Sequence, residues 1–80
     1  MDSDYGSVLT SFGKALRRAR SRAGLTQEGL AEASGLDRTY VSGAERGVRN
    51  PSLVTLARLS DALDIRLSDL LTSIEVGGRR

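Results

Sequence analysis

Residues 27–46 read QEGLAEASGLDRTYVSGAER, and the fold is decided there. The stretch predicts two short helices, one from Gln27 to about Ala33 and one from Asp37 to Arg46, parted by Gly35. Two short helices that cross steeply pack only if particular positions obey size rules. Leu30 must face the core, and Ala31 must be small because the next helix passes close to it. Gly35 must reverse the chain, since a positive φ costs glycine little. Leu36, Val41 and Ala44 must point inward. The sequence meets every one of these requirements at the right spacing.

Working outward, Thr26 is placed to cap the first of these helices and Asp37 the second, where its charge also suits the helix dipole. Upstream, Leu9, Phe12, Leu16, Ala19 and Ala23 recur at spacings of three and four and predict an amphipathic helix capped by Ser7 and closed by Gly24. Lys14, Arg17, Arg18 and Arg22 fall off that apolar face, whereas Arg20 lies at its margin beside Leu16. Downstream, Val48, Arg49 and Asn50 read as a loop, with Pro51 suited to an early helical position. A fourth helix carries Leu53, Leu56, Leu59 and Leu63. A last short one, capped by Ser68, carries Leu70, Leu71 and Ile74. No segment reads as a strand. The pattern is an all-α, five-helix domain over residues 7–75, with flexible tails at 1–6 and 76–80.

Composition narrows the function. Eighty residues suffice for one domain, and a chain of this size often gains stability by oligomerising. It is 39% hydrophobic and 28% charged, an ordinary globular mixture. Cysteine and histidine are absent, which removes disulfides, thiolate and imidazole chemistry and the usual zinc ligands, so no metal or cofactor is expected. No apolar run approaches the ~20 residues of a bilayer span, and the first residues lack the basic-then-apolar order of a signal peptide. A cytoplasmic protein with no membrane partner is expected. The net charge of +2 is small, but all basic residues except Lys14 are arginine, and residues 14–22 carry five positive charges without an acid. Arginine's planar fork suits phosphate and guanine. GC-rich coding would also raise its frequency.

Residues 24–63, GLTQEGLAEASGLDRTYVSGAERGVRNPSLVTLARLSDAL, resemble the helix-turn-helix core of the phage-repressor, Cro and XRE superfamily. Residues 36–53, LDRTYVSGAERGVRNPSL, are particularly similar to controller proteins of restriction–modification systems and to small XRE regulators. The resemblance spans residues 12–71. It implies a λ-repressor-like bundle whose third helix enters the major groove of double-stranded DNA, usually as a homodimer on a palindrome. It leaves RNA polymerase as a further partner to consider and implies no small-molecule ligand. One departure is visible: family members commonly carry Glu where this chain has Gly29, so the Thr-x-x-Glu capping box is incomplete.

With Val41 and Ala44 facing in, a helical wheel turns Thr39, Ser42, Gly43 and Arg46 outward and sets Arg38 beside them. By resemblance, the first outward positions read base edges, which here are Arg38 and Thr39. Arg38 can form a bidentate pair with guanine, and Thr39 can meet a thymine methyl or an acceptor. Ser42 reaches either a base or a phosphate, and Gly43 would admit close approach of DNA. Gln27, at a helix N-terminus, can hold a phosphate through its amide and the free backbone N–H groups. Tyr40 lies between the two arcs and fits either the core or a phosphate contact. Arg46, Arg49 and Asn50 are implied by the resemblance to touch the backbone. Glu45 should be partly buried, where a lone carboxylate is expensive. The resemblance supplies Arg20 as its partner in a structural ion pair.

Leu67, Leu70, Leu71 and Ile74 carry more apolar surface than a terminal helix easily buries, so they are expected to form a two-fold dimer interface. An enzyme is not expected. The closely spaced acids, Asp61 with Asp64 and Glu28 with Glu32, are of a kind common on solvated helix faces. An antitoxin that binds a toxin and autoregulates its operon is the alternative, but it would need a toxin-binding segment, and few residues follow Ile74.

Overall fold

The computed structural model describes the backbone of residues 2–74 and the side chains of residues 5–74. Five α-helices follow one another: α1 (Asp2–Arg22), α2 (Gln27–Ser34), α3 (Arg38–Glu45), α4 (Leu53–Ala62) and α5 (Leu67–Leu71). There is no strand among the described residues. Nor is any helix among them long and apolar enough to cross a membrane. The expected tail at 76–80 lies outside the described residues.

Each helix contributes to one core. Phe12 and Leu16 come from α1, Leu30 and Ala31 from α2, Val41 and Ala44 from α3, Leu59 from α4 and Leu70 from α5, with Leu63 at the end of α4. Leu25, Leu36, Tyr40, Leu56 and Leu71 pack around this group half-buried. The turn between α2 and α3 forms as its glycine demands. Gly35 adopts φ 74°, and the Leu36 N–H behind it donates to the Ala31 carbonyl at 2.9 Å. Satisfying that carbonyl at the end of α2 fixes the angle at which α3 leaves.

The first helix starts well before the expected cap, so Ser7 lies inside it and is not its N-cap. Once a helix is nucleated, each further residue adds a hydrogen bond, and Gly6 opposes this by only ~1 kcal/mol. Ala23, at the far end, is exposed instead of continuing the apolar face. Thr26 caps α2, its hydroxyl accepting from the Gly29 N–H at 2.9 Å. Asp37 has the extended backbone of an N-cap, yet its side chain makes no capping hydrogen bond. Ser52 caps α4 by accepting from the Thr55 N–H at 3.1 Å, so Pro51 stands before that cap and outside the helix. Leu53 therefore falls on the first turn of α4 and is 69% exposed. Arg66, not Ser68, occupies the cap position of α5.

The packing of α5 decides which of its apolar residues face inward. Leu70 is 2% exposed and belongs to the core, so it is not an interface residue. Leu71 and Ile74 lie half-buried against the core, and Leu67 is half-buried outside it. The short α5 packs on both α1 and α4, and this sandwich consumes the apolar side chain that a wheel alone had left over.

Candidate nucleic-acid interface

Val41 and Ala44, both fully buried, pin α3 to the bundle and so determine which of its side chains stay outside. Arg38, Thr39 and Arg46 are exposed, and Ser42 is half-buried. Gly43 is buried, contrary to the expectation that it offers DNA an open approach. The side chain of Arg49 lies across it, so a Cβ at Gly43 would stand 2.9 Å from Arg49 Cγ and 3.0 Å from its Nε. The Arg49 guanidinium sits 5.7 Å from the centroid of the Tyr40 ring, within cation–π range. Tyr40 packs its ring on the core and presents its face to that cation. A glycine and an aromatic on α3 thus seat an arginine that belongs to the following loop. Asn50 beside it is exposed.

Behind α3 stands a charged pair. Arg20 Nε donates to Glu45 Oε2 at 2.5 Å and Arg20 Nη2 to Glu45 Oε1 at 3.1 Å, a bidentate arrangement. Arg20 Nη1 also donates to the Leu25 carbonyl at 2.9 Å, and Gln27 Nε2 donates to Glu45 Oε1 at 3.0 Å. The Glu45 side chain is only 4% exposed and that of Arg20 16%. Burial pushes the Glu45 carboxyl up, but hydrogen bonds from Arg20 and Gln27 and the charges of Arg20 and Arg17 outweigh it. The net result is a pKa below the ordinary value. The hydrogen bond to Glu45 raises the Arg20 pKa against the cost of burial. The pair ties α1 to the end of α3 and stays charged throughout the neutral range.

Gln27 is half-buried and its amide is already engaged on both sides, since its Oε1 also accepts from Arg38 Nη1 at 3.4 Å. Gln27 and Glu28 open α2, where backbone N–H groups have no intrahelical acceptor. Together with Thr26, Arg20 and Arg38 they line a shallow polar depression. Its one guanidinium without a carboxylate partner is that of Arg38, since Arg20 is paired with Glu45, and Glu28 adds a carboxylate to the rim.

Two contributors escaped the sequence reading. Gly13 lets α1 lie directly on the end of α3, because a Cβ there would run into the Glu45 carbonyl and stand 2.8 Å from that of Ala44. Only the unexpected small residue between Phe12 and Lys14 hinted at it. Arg17, which falls off the apolar face of α1, adds its charge to the field that holds Glu45 ionised.

The helix-turn-helix family profile matches residues 16–70, which contain α2, α3 and α4 entire. Control protein C.MunI of a Mycoplasma species is 46% identical over 69 residues, covering 85% of this chain and 93% of that protein. Control protein C.BamHI of Bacillus amyloliquefaciens is 42% identical over 72 residues, 89% of each. Among solved structures, the restriction–modification controller protein C.AhdI from Aeromonas hydrophila superposes with a TM-score of 0.76 at 55% identity. That match covers 78% of this chain and 94% of that one. With these matches, this chain belongs to the XRE-type helix-turn-helix family of DNA-binding transcription regulators.

Proposed function

We propose that the protein acts as a homodimer on a palindromic operator, as a controller of a restriction–modification system. The observation that carries this reading is the pairing of fully buried Val41 and Ala44 with exposed Arg38 and Thr39, which leaves the N-terminal part of α3 free to face a major groove. The 55% identity with C.AhdI, across nearly all of that controller, supports the assignment of pathway. In this reading Arg38 and Thr39 specify bases, and Ser42 makes a short contact to base or phosphate. The N-terminus of α2 at Gln27 holds a phosphate, as do Arg46, Arg49, Asn50 and the Tyr40 hydroxyl. RNA polymerase would be met at the promoter, and no small-molecule effector or catalytic activity is needed.

The dimer contact belongs on the outer side of α5. Leu67 supports this, being half-buried, apolar and outside the core, with Leu71 and Ile74 beyond it on the same element and its extension. Selection of bound duplexes from a random pool tests both halves of the proposal. A palindrome with half-site centres about one helical turn apart, ~10 bp or a multiple, is the expected result. Enrichment of a single asymmetric site by monomeric protein would refute it.

A further inference from the structure

We infer that the cleft between α1 and α5 binds a mononucleotide, its phosphate held by Arg18 and Arg22, its ribose by Asp69 and its base on the apolar floor. The inference goes beyond the function proposed above, which needs no such ligand, and does not depend on it.

The cleft has a volume of about 400 Å³, within the range of small-ligand sites. Residues of α1 form one wall and residues in and around α5 the other. Its apolar lining lies deepest: Leu70 is buried, and Ala15, Ala19 and Ile65 are half-buried. Ala15 and Ala19 stand one turn apart and carry only methyl groups, so this strip of α1 is low enough for a planar ring to lie on. Arg18 and Arg22 are exposed at the rim, also one turn apart. With Cβ atoms about 5–6 Å apart, both guanidiniums can reach one phosphate. Each lies about 200° round α1 from Arg20, which faces Glu45, so these two cations are turned away from the ion pair behind α3. Among the described residues neither has a carboxylate within ion-pair distance, and Asp69, across the cleft, is unpaired as well. Asp69 decides the class of anion. A carboxylate only accepts hydrogen bonds, and it repels a second negative group. The ligand must therefore be anionic toward the arginines, donate hydrogen bonds toward Asp69 and carry a flat apolar part for the floor. A nucleoside phosphate meets all three demands, since ribose hydroxyls donate well to an acidic side chain.

The test titrates the full chain, followed by backbone amide NMR shifts, with adenosine monophosphate, guanosine monophosphate, adenosine and inorganic phosphate. At least one of the two nucleotides should saturate with a Kd at or below about 1 mM, its shifts centred on Ala15, Ala19, Ile65 and Asp69. Adenosine and inorganic phosphate, each carrying part of the ligand, should bind at least about tenfold more weakly. Replacing both arginines, Arg18→Gln with Arg22→Gln, keeps good helix formers at exposed positions and should weaken the nucleotide about tenfold or more. Asp69→Ala should weaken the nucleotide and leave inorganic phosphate unaffected. Thermal melts check that the variants fold. If Asp69→Ala does not, 2′,3′-dideoxyadenosine monophosphate on the wild type removes the same hydrogen bonds from the ligand side. Absence of saturation by both nucleotides would overturn the inference, as would nucleotide binding unchanged by these substitutions. Inorganic phosphate binding as tightly as the nucleotides would reduce the cleft to a patch of positive surface and overturn it too. Shifts centred on Gln27 and Arg38 would do the same, by placing the anion on the DNA-binding face.

Discussion

Replacing Glu45 with alanine removes the acceptor of two Arg20 hydrogen bonds and one Gln27 hydrogen bond in a single step. Truncating one member of a buried ion pair typically costs ~3–5 kcal/mol, mostly because the partner's charge is left without compensation. Here the low end applies. Arg20 keeps its bond to the Leu25 carbonyl and, at 16% exposure, has some access to water, while the Gln27 amide can turn to solvent. A loss of about 3 kcal/mol is therefore expected, a large share of the ~4–12 kcal/mol that 80 residues typically muster. At ~4–8 °C per kcal/mol for a domain of this size, the melting temperature should fall by about 12–24 °C. Replacing both partners together, Arg20→Met with Glu45→Leu, should cost much less, because no charge is stranded.

Acidification offers an independent check. The folded-state pKa of Glu45 lies below its unfolded value, so the unfolded chain binds the proton first. The stabilisation is fully present above the unfolded carboxylate pKa, about 4.3, and is lost as pH falls through the lower folded one. Melts of the wild type from pH 7 down to 3 should show this loss, and melts of Glu45→Ala should lack that contribution. Additive single-variant costs in a double-mutant cycle, or identical acid profiles for the two proteins, would refute the pair's role.

Four further outcomes are expected. Gly13→Ala should destabilise by at least ~1–3 kcal/mol in a thermal melt, since its Cβ meets backbone carbonyls that cannot rotate away; a neutral result would mean α1 slides freely over α3. Gly29→Ala should gain up to about 1 kcal/mol once Thr26 Oγ1, 3.3 Å from the new Cβ and so tighter than ordinary contact, gives by a few tenths of an ångström, and Gly29→Glu should add the reciprocal cap; a loss in both would show that this contact cannot relax. Leu67→Glu should yield folded monomers by sedimentation with weakened operator binding, whereas Leu70→Glu should unfold the domain, and a dimeric Leu67→Glu protein would move the interface elsewhere. Arg38→Ala should cost about 1–3 kcal/mol on the preferred site and far less on a site altered at its base, while Arg49→Ala should weaken all sites alike and lower the salt slope by about one.

The helix-turn-helix was legible because its signals are local. Thr26 before a helix, Gly35 at the reversal, and Leu30, Ala31, Val41 and Ala44 at fixed offsets each follow from the geometry of one turn of chain. Glu45 was legible too, as a carboxylate on an inward arc needing a cation, and the family resemblance supplied Arg20 as that cation. What escaped depends on how helices meet. Periodicity gives Leu67, Leu70 and Leu71 equal claims to be surface, and only the seat of α5 between α1 and α4 sends Leu70 inside. A wheel likewise turns Gly43 outward. It cannot know that the loop after α3 folds Arg49 back over it.

That fold-back bears on how so short a helix can present enough chemistry to DNA. The middle of the outward face of α3 carries Ser42 and Gly43, which have little reach. The long side chains stand at its ends, Arg38 at the first turn and Arg46 just past the last, with Arg49 returning from the loop to lie over Gly43 and against Tyr40. Two of these arginines are held by an uncharged neighbour, Arg38 by the Gln27 oxygen and Arg49 by the Tyr40 ring. Neutral supports leave both cations without a carboxylate partner, as the proposed contacts to phosphate or guanine require, where a carboxylate would have cancelled them and repelled DNA. The acid in the network is kept one step back: Glu45 is paired with Arg20, accepts from Gln27 and is only 4% exposed. A chain with a net charge of only +2 can in this way concentrate its positive field on one surface.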